Sequence, residues 1–192
     1  KKRAREYRTI TFNLEIEPGD SQLVYVRTQT SSSTQLPLKT YTESTFSKVS
    51  EREGTALGAY YGIILVMIVF NALLWMSLRD KTYLSYVAYL AFYLVFQLTL
   101  NGNGLRYLFT ESPSLNSIAL PFSMFMVASF IYRFTREFMD LEQLLPKASR
   151  AFVWAERIFI VAAIASIWLP YSIMIKPAVL ISAITPLILL AI

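Results

Sequence analysis

The spacing of apolar positions changes near Gly54. Before it, Ile10, Phe12, Leu14 and Ile16 alternate with Thr9, Thr11, Asn13 and Glu15, the period-two pattern of a half-buried strand. The cluster Glu17, Pro18, Gly19, Asp20 and Ser21 predicts a turn, and the β-branched stretch 23–28 predicts a second strand. Ser31, Ser32, Ser33 and Thr34 form a polar loop, after which 36–41 predicts a third strand that Pro37 confines to a sheet edge. Three strands cannot enclose a core by themselves. Residues 1–50 are therefore expected to be the last strands of a β-sandwich that begins upstream of Lys1.

After Gly54 the apolar runs lengthen to membrane scale. Residues 55–78 carry no charge and give a helix of roughly 36 Å, longer than the ~30 Å hydrocarbon core of a bilayer. A second run, 83–100, follows so closely that the two must form an antiparallel helical hairpin. Further spans are expected at 115–134, which contains Pro121, at 152–169, which holds Glu156 and Arg157 near its start, and at 178–192, cut by the chain end. The fold class is thus a multi-pass α-helical membrane protein preceded by sandwich strands, with four complete spans and part of a fifth. The absence of an initial Met and the apolar run reaching Ile192 suggest an internal fragment of a longer protein.

Composition agrees with a bilayer as the main partner, since 55% of residues are hydrophobic, 16% are charged and the mean hydropathy is +0.44. With no Cys and no His, disulfides, thiol catalysis, His-dependent triads and Cys/His metal centres are excluded from this segment, and no cofactor is expected. The net charge of +5 raises nucleic-acid binding. However, the basic opening Lys1, Lys2, Arg3, Arg5 and Arg8 is accompanied by no aromatic platform or groove-entering helix, so nucleic acid is not an expected partner.

Basic residues in the short loops set the orientation. With the amino terminus outside, Arg79, Lys81, Arg133, Arg136, Lys147, Arg150 and Arg157 lie inside, against only Arg106 and Lys176 outside. Trp75, Trp168 and Tyr171 then sit near the two interfaces.

Several residues are candidates for packing or signal coupling. Gly54, Gly58 and Gly62 recur every four residues on one helical face, where another helix, including one from a second copy in a homodimer, can approach closely. Asn71 and Gln97 carry amides into apolar runs, so each should face protein, either in an interhelical hydrogen bond that fixes register or in a buried small-molecule or ion site. The aromatic series Tyr83, Tyr86, Tyr89, Phe92, Tyr93 and Phe96 reads as packing and interface anchoring. Glu156 and Arg157 point about 100° apart and are poorly placed to pair with each other; Arg157 either snorkels to the inner boundary or latches to the 133–142 loop. No carboxylate pair or phosphate-cradling loop marks a catalytic site, and Asn101-Gly102-Asn103-Gly104, lacking a following Lys-Ser/Thr, is a turn.

The stretches Gly58-Ala59-Tyr60-Tyr61-Gly62, Phe70-Asn71-Ala72-Leu73-Leu74 and Leu78-Arg79-Asp80-Lys81-Thr82-Tyr83-Leu84-Ser85-Tyr86-Val87, with Gly102 and Tyr107, resemble the opening of the bacterial seven-transmembrane receptors with diverse intracellular signalling modules. Upstream, Phe12 to Ile16, Pro18-Gly19, Val24-Tyr25-Val26-Arg27 and Leu36-Pro37-Leu38 are similar to the closing strands of that family's jelly-roll extracellular domain. The resemblance implies a periplasmic jelly-roll sensor for a carbohydrate or other small ligand, a seat in the bacterial inner membrane, and two further spans beyond Ile192. It also implies the chain's own downstream cytoplasmic output domain, a diguanylate cyclase acting through cyclic di-GMP first and a histidine kinase second. A small-solute transporter is the alternative class, although the inverted repeats it would carry are not visible.

Overall fold

The computed structural model describes residues 11–14, 16, 19, 21–26, 38–103 and 113–190. Six helices are described: α1 (Glu43–Leu78), α2 (Lys81–Leu100), α3 (Pro113–Phe138), α4 (Leu141–Leu144), α5 (Pro146–Ala165) and α6 (Tyr171–Leu190).

Helix α1 begins twelve residues before the expected start at 55, because Thr42 caps it: the Thr42 hydroxyl accepts from the Thr45 amide at 3.4 Å. Residues 43–50, assigned to the strand domain from sequence, are therefore helix. The hairpin between α1 and α2 is tighter than the four-residue connection expected. Arg79 ends α1 in the left-handed conformation, its amide bonding Trp75 O at 2.8 Å, and Asp80 caps α2 by accepting from the Thr82 amide at 2.9 Å. Two residues reverse the chain. Since α2 runs back along the second half of α1, about 16 residues of α1, or ~24 Å, stand beyond the end of α2.

The central helix is α3, which packs against α2, α4, α5 and α6, whereas among the described helices α1 packs against α2 alone. Accordingly 39% of the apolar stretch of α3 is buried, against 6% for α1. Pro121 is fully buried within α3, and Ser123, two residues on, returns its hydroxyl to Ala119 O at 2.6 Å. Met124 and Phe125 form one core with Ala163 of α5 and Ala178 of α6. A second core joins Tyr132, Leu141 and Phe152, with the Tyr132 and Phe152 rings edge-to-face at 4.8 Å.

Among the described residues four helices, α1, α2, residues 117–138 of α3, and α6, are long and apolar enough to cross a membrane. Helix α5, the counterpart of the span expected at 152–169, starts at Pro146 and ends at Ala165, and Lys147, Arg150, Glu156 and Arg157 lower its apolarity. Helix α6 starts at Tyr171 instead of 178: it runs through Pro177, whose fixed φ is helical and which removes one backbone hydrogen bond without ending the helix.

The expected strands lie largely outside the described residues. In the described pieces 11–14 and 21–26 no strand is assigned, and Phe12, Leu14, Leu23 and Tyr25 are exposed.

Candidate functional site

Polar side chains gather at the two ends of the bundle. At the end marked by Gly102, a tyrosine clasp joins α1 to α2. Tyr60 donates its hydroxyl hydrogen to the Tyr93 hydroxyl at 2.9 Å, and Gln97 Nε2 donates to the same oxygen at 2.8 Å. One residue along α1, the Tyr61 hydroxyl accepts from Asn101 Nδ2 and Asn103 Nδ2, both at 3.2 Å. Gly102, with φ 75°, turns the chain between those two asparagines, a conformation that favours glycine. Asn103 is buried, so its bond to Tyr61 keeps its amide from being stranded without a partner. Below the clasp, Tyr93, Tyr89 and Tyr86 stack along α2 at ring spacings of 6.0 Å, while Phe92 stacks on Phe130 of α3 at 5.6 Å.

At the opposite end, marked by Arg79, five side chains tie α2, α3 and α5 together. Arg133, Arg136 and Glu137 recur at three- and four-residue steps on one face of α3. Arg133 Nε lies 3.2 Å from Glu137 Oε1, and Ser85 of α2 donates to Glu137 Oε2. Glu156 of α5 reaches both arginines, 3.7 Å from Arg133 Nη1 and 3.8 Å from Arg136 Nη2. The Ser129 hydroxyl approaches the Glu156 carbonyl at 3.3 Å. Two guanidinium groups and two carboxylates cancel, as charges held among apolar helices must. Arg136 Nε is buried without a hydrogen-bond partner. Among the described residues no group of three or more Asp or Glu is placed to hold a metal ion.

The two ends are linked in series. The clasp connects α1 to α2, and Ser85 and the ionic cluster connect α2 to α3 and α5. Such a bundle can pass a displacement of one helix to its neighbours. A family described as 7TM diverse intracellular signalling matches residues 53–192. The chain belongs to that family. It is the membrane part of a signalling receptor. No curated protein and no solved structure matches the chain.

In this 7TM receptor segment, the residues singled out from sequence are placed as follows. A Cβ at Gly54, Gly58 or Gly62 would meet nothing within 4 Å, so no described helix is packed closely on these glycines. The α1 to α2 contact uses Tyr60 and Tyr61 instead. Asn71 Nδ2 donates to Met67 O at 2.8 Å on its own helix, in place of the interhelical bond expected of it; an amide in a lipid-facing helix is satisfied there without a partner helix. Gln97 does take part in an interhelical network, through Tyr93. Arg157 points away from the ionic cluster, its guanidinium 5.7 Å over the Trp154 ring. Its neighbour Glu156 is the residue that meets the 133–142 region. Ser85, Glu137, Asn101 and Asn103 were missed, since hydroxyls, a terminal Glu and turn asparagines carry no distinctive spacing; the flanking charges Arg133 and Arg136 were the available signal.

Proposed function

We propose that this receptor segment couples a periplasmic, ligand-binding jelly-roll domain to a cytoplasmic output enzyme. The output is a diguanylate cyclase in the first reading and a histidine kinase in the second, and the segment sits in the bacterial inner membrane with its amino terminus in the periplasm. A carbohydrate or similar small solute is the proposed stimulus. The exposed apolar side chains at Phe12, Leu14, Leu23 and Tyr25 support this reading, because they suit strands that complete a larger sandwich. The excess of Lys and Arg at the Arg79 end supports the orientation.

The observation that carries the proposal is the continuity of α1. One unbroken helix from Glu43 to Leu78 begins outside the bundle and enters it touching, among the described helices, only α2. A rotation or axial shift imposed at Glu43 therefore arrives at Tyr60 and Tyr61 undiminished, and the clasp hands it to α2. From there Ser85 and the ionic cluster carry it to α3 and α5 at the face where an output domain would attach.

Inserting alanines after Ser50 in the full-length receptor tests the coupling. One or two residues rotate the outer part of α1 by about 100° or 200° relative to the clasp, whereas four return it to within about 40°. Ligand-dependent output should fail with one or two added residues and recover with four. Equal output from all three insertions would show that α1 does not act as a rigid coupling rod.

A further inference from the structure

Helix α5 carries a second set of charges that the ionic cluster does not use. Lys147, Arg150, Trp154 and Arg157 follow one another at steps of three and four residues and so share one face of the helix. All four are exposed, while Ser149, Phe152 and Ala163 on the other side are buried. Among the described residues no carboxylate pairs with Lys147, Arg150 or Arg157. Arg157 instead lies over Trp154. Farther along the same face Ile158 and Val161 are exposed and wholly apolar. The face therefore reads, from the start of α5, as two cations, then an aromatic ring with the third cation laid over it, then hydrocarbon. That is the order of headgroup, interface and acyl chain met on entering a bilayer. The preceding elbow agrees with this depth, since it exposes Phe138, Leu144 and Leu145, apolar side chains suited to dipping below the headgroups.

We propose that this column on α5 binds the headgroup phosphate of an anionic phospholipid of the phosphatidylglycerol class. Lys147 and Arg150 meet the phosphate from the aqueous side, and Arg157, held over Trp154, reaches up to it from the acyl side. A zwitterionic lipid brings its own ammonium to the phosphate and so has less use for three protein cations. The anionic lipid leaves its charge to be neutralised by them.

The chain is placed in nanodiscs of mixed phosphatidylcholine and phosphatidylglycerol, and the lipids that stay bound on release are counted by native mass spectrometry. Wild type should retain phosphatidylglycerol preferentially. Replacing Lys147, Arg150 and Arg157 by Gln should weaken that preference about fivefold for each cation removed and about a hundredfold together. Lys176→Gln, at the other end of the bundle, should leave it unchanged, and the charge-conserving set Lys147→Arg, Arg150→Lys, Arg157→Lys should keep it. Should the triple variant not fold, the wild-type preference read against ionic strength decides, because it must fall as salt rises. Equal retention of both lipids, a preference that survives the triple substitution, or displacement of the lipid by soluble glycerol phosphate at matched concentration would each overturn the proposal. Protection of the three cations by an acidic peptide in place of lipid would overturn it in favour of a protein partner.

Discussion

Glu156→Gln keeps the size of the side chain and removes the charge that faces Arg133 and Arg136. At 3.7 and 3.8 Å each ion pair has a gross Coulomb energy of about 4 kcal/mol at an effective dielectric of 20. Most of that is offset by the desolvation of the three groups. Exposure reduces it further: Arg133 is 39% exposed and keeps Glu137 at 3.2 Å, and Arg136 is 23% exposed. The net loss expected is therefore about 1–2 kcal/mol, below the 3–5 kcal/mol that accompanies removal of one partner from a fully buried pair. A double-mutant cycle isolates the contact. Unfolding in mixed micelles by increasing denaturing detergent, followed by helicity, should give a coupling of about 1 kcal/mol between Glu156→Gln and Arg136→Gln. The control pair Glu156→Gln and Lys147→Gln, which share no contact, should be additive to within about 0.5 kcal/mol. Additivity of the Glu156 and Arg136 substitutions would refute the cluster as a tie between α3 and α5.

Two further outcomes follow from the same geometry. The Thr82 amide, and then its hydroxyl, hold the Asp80 carboxyl below the usual carboxylate range, so Asp80 contributes stability that is present above its unfolded pKa and is lost as the pH falls through its folded value. The α1 to α2 hairpin should therefore loosen only below about pH 4, measured as hydrogen exchange at the first turn of α2, and Asp80→Asn should retain the cap while abolishing the pH dependence. A Cβ at Gly58 meets no neighbour within 4 Å, so the purified Gly58→Ala chain should unfold at an unchanged or slightly raised temperature; a loss of several degrees would mean that another helix occupies that face.

How far the site could be read from sequence depended on the range of the interaction. The membrane-scale runs, the hairpin between α1 and α2 and the clustering of basic residues in short loops are properties of contiguous sequence, and hydropathy and loop length expose them directly. Which of Glu156 and Arg157 meets the 133–142 region is a matter of helix rotation. The two differ by about 100° in direction, and the rotation of α5 is set by the burial of Ser149, Phe152 and Ala163. The glycine stripe had a recognisable spacing, yet spacing alone does not supply a neighbour. Asn71 illustrates the converse, since its expected interhelical partner proved to be its own helix at Met67 O.

The sequence by itself determined that this is a multi-pass helical protein and that it carries no Cys or His, because length, hydropathy and residue inventory act locally and additively. It also carried the resemblance to the 7TM receptors that the family match bears out over residues 53–192. Tertiary structure decided that α1 extends back to Glu43 and leans on α2, that Tyr60 and Tyr61 form the clasp, and that Arg133, Arg136, Glu137 and Glu156 converge. Those outcomes rest on capping, helix rotation and packing between residues far apart in the chain, and a pattern read along one strand of sequence cannot fix the angle at which two helices face each other.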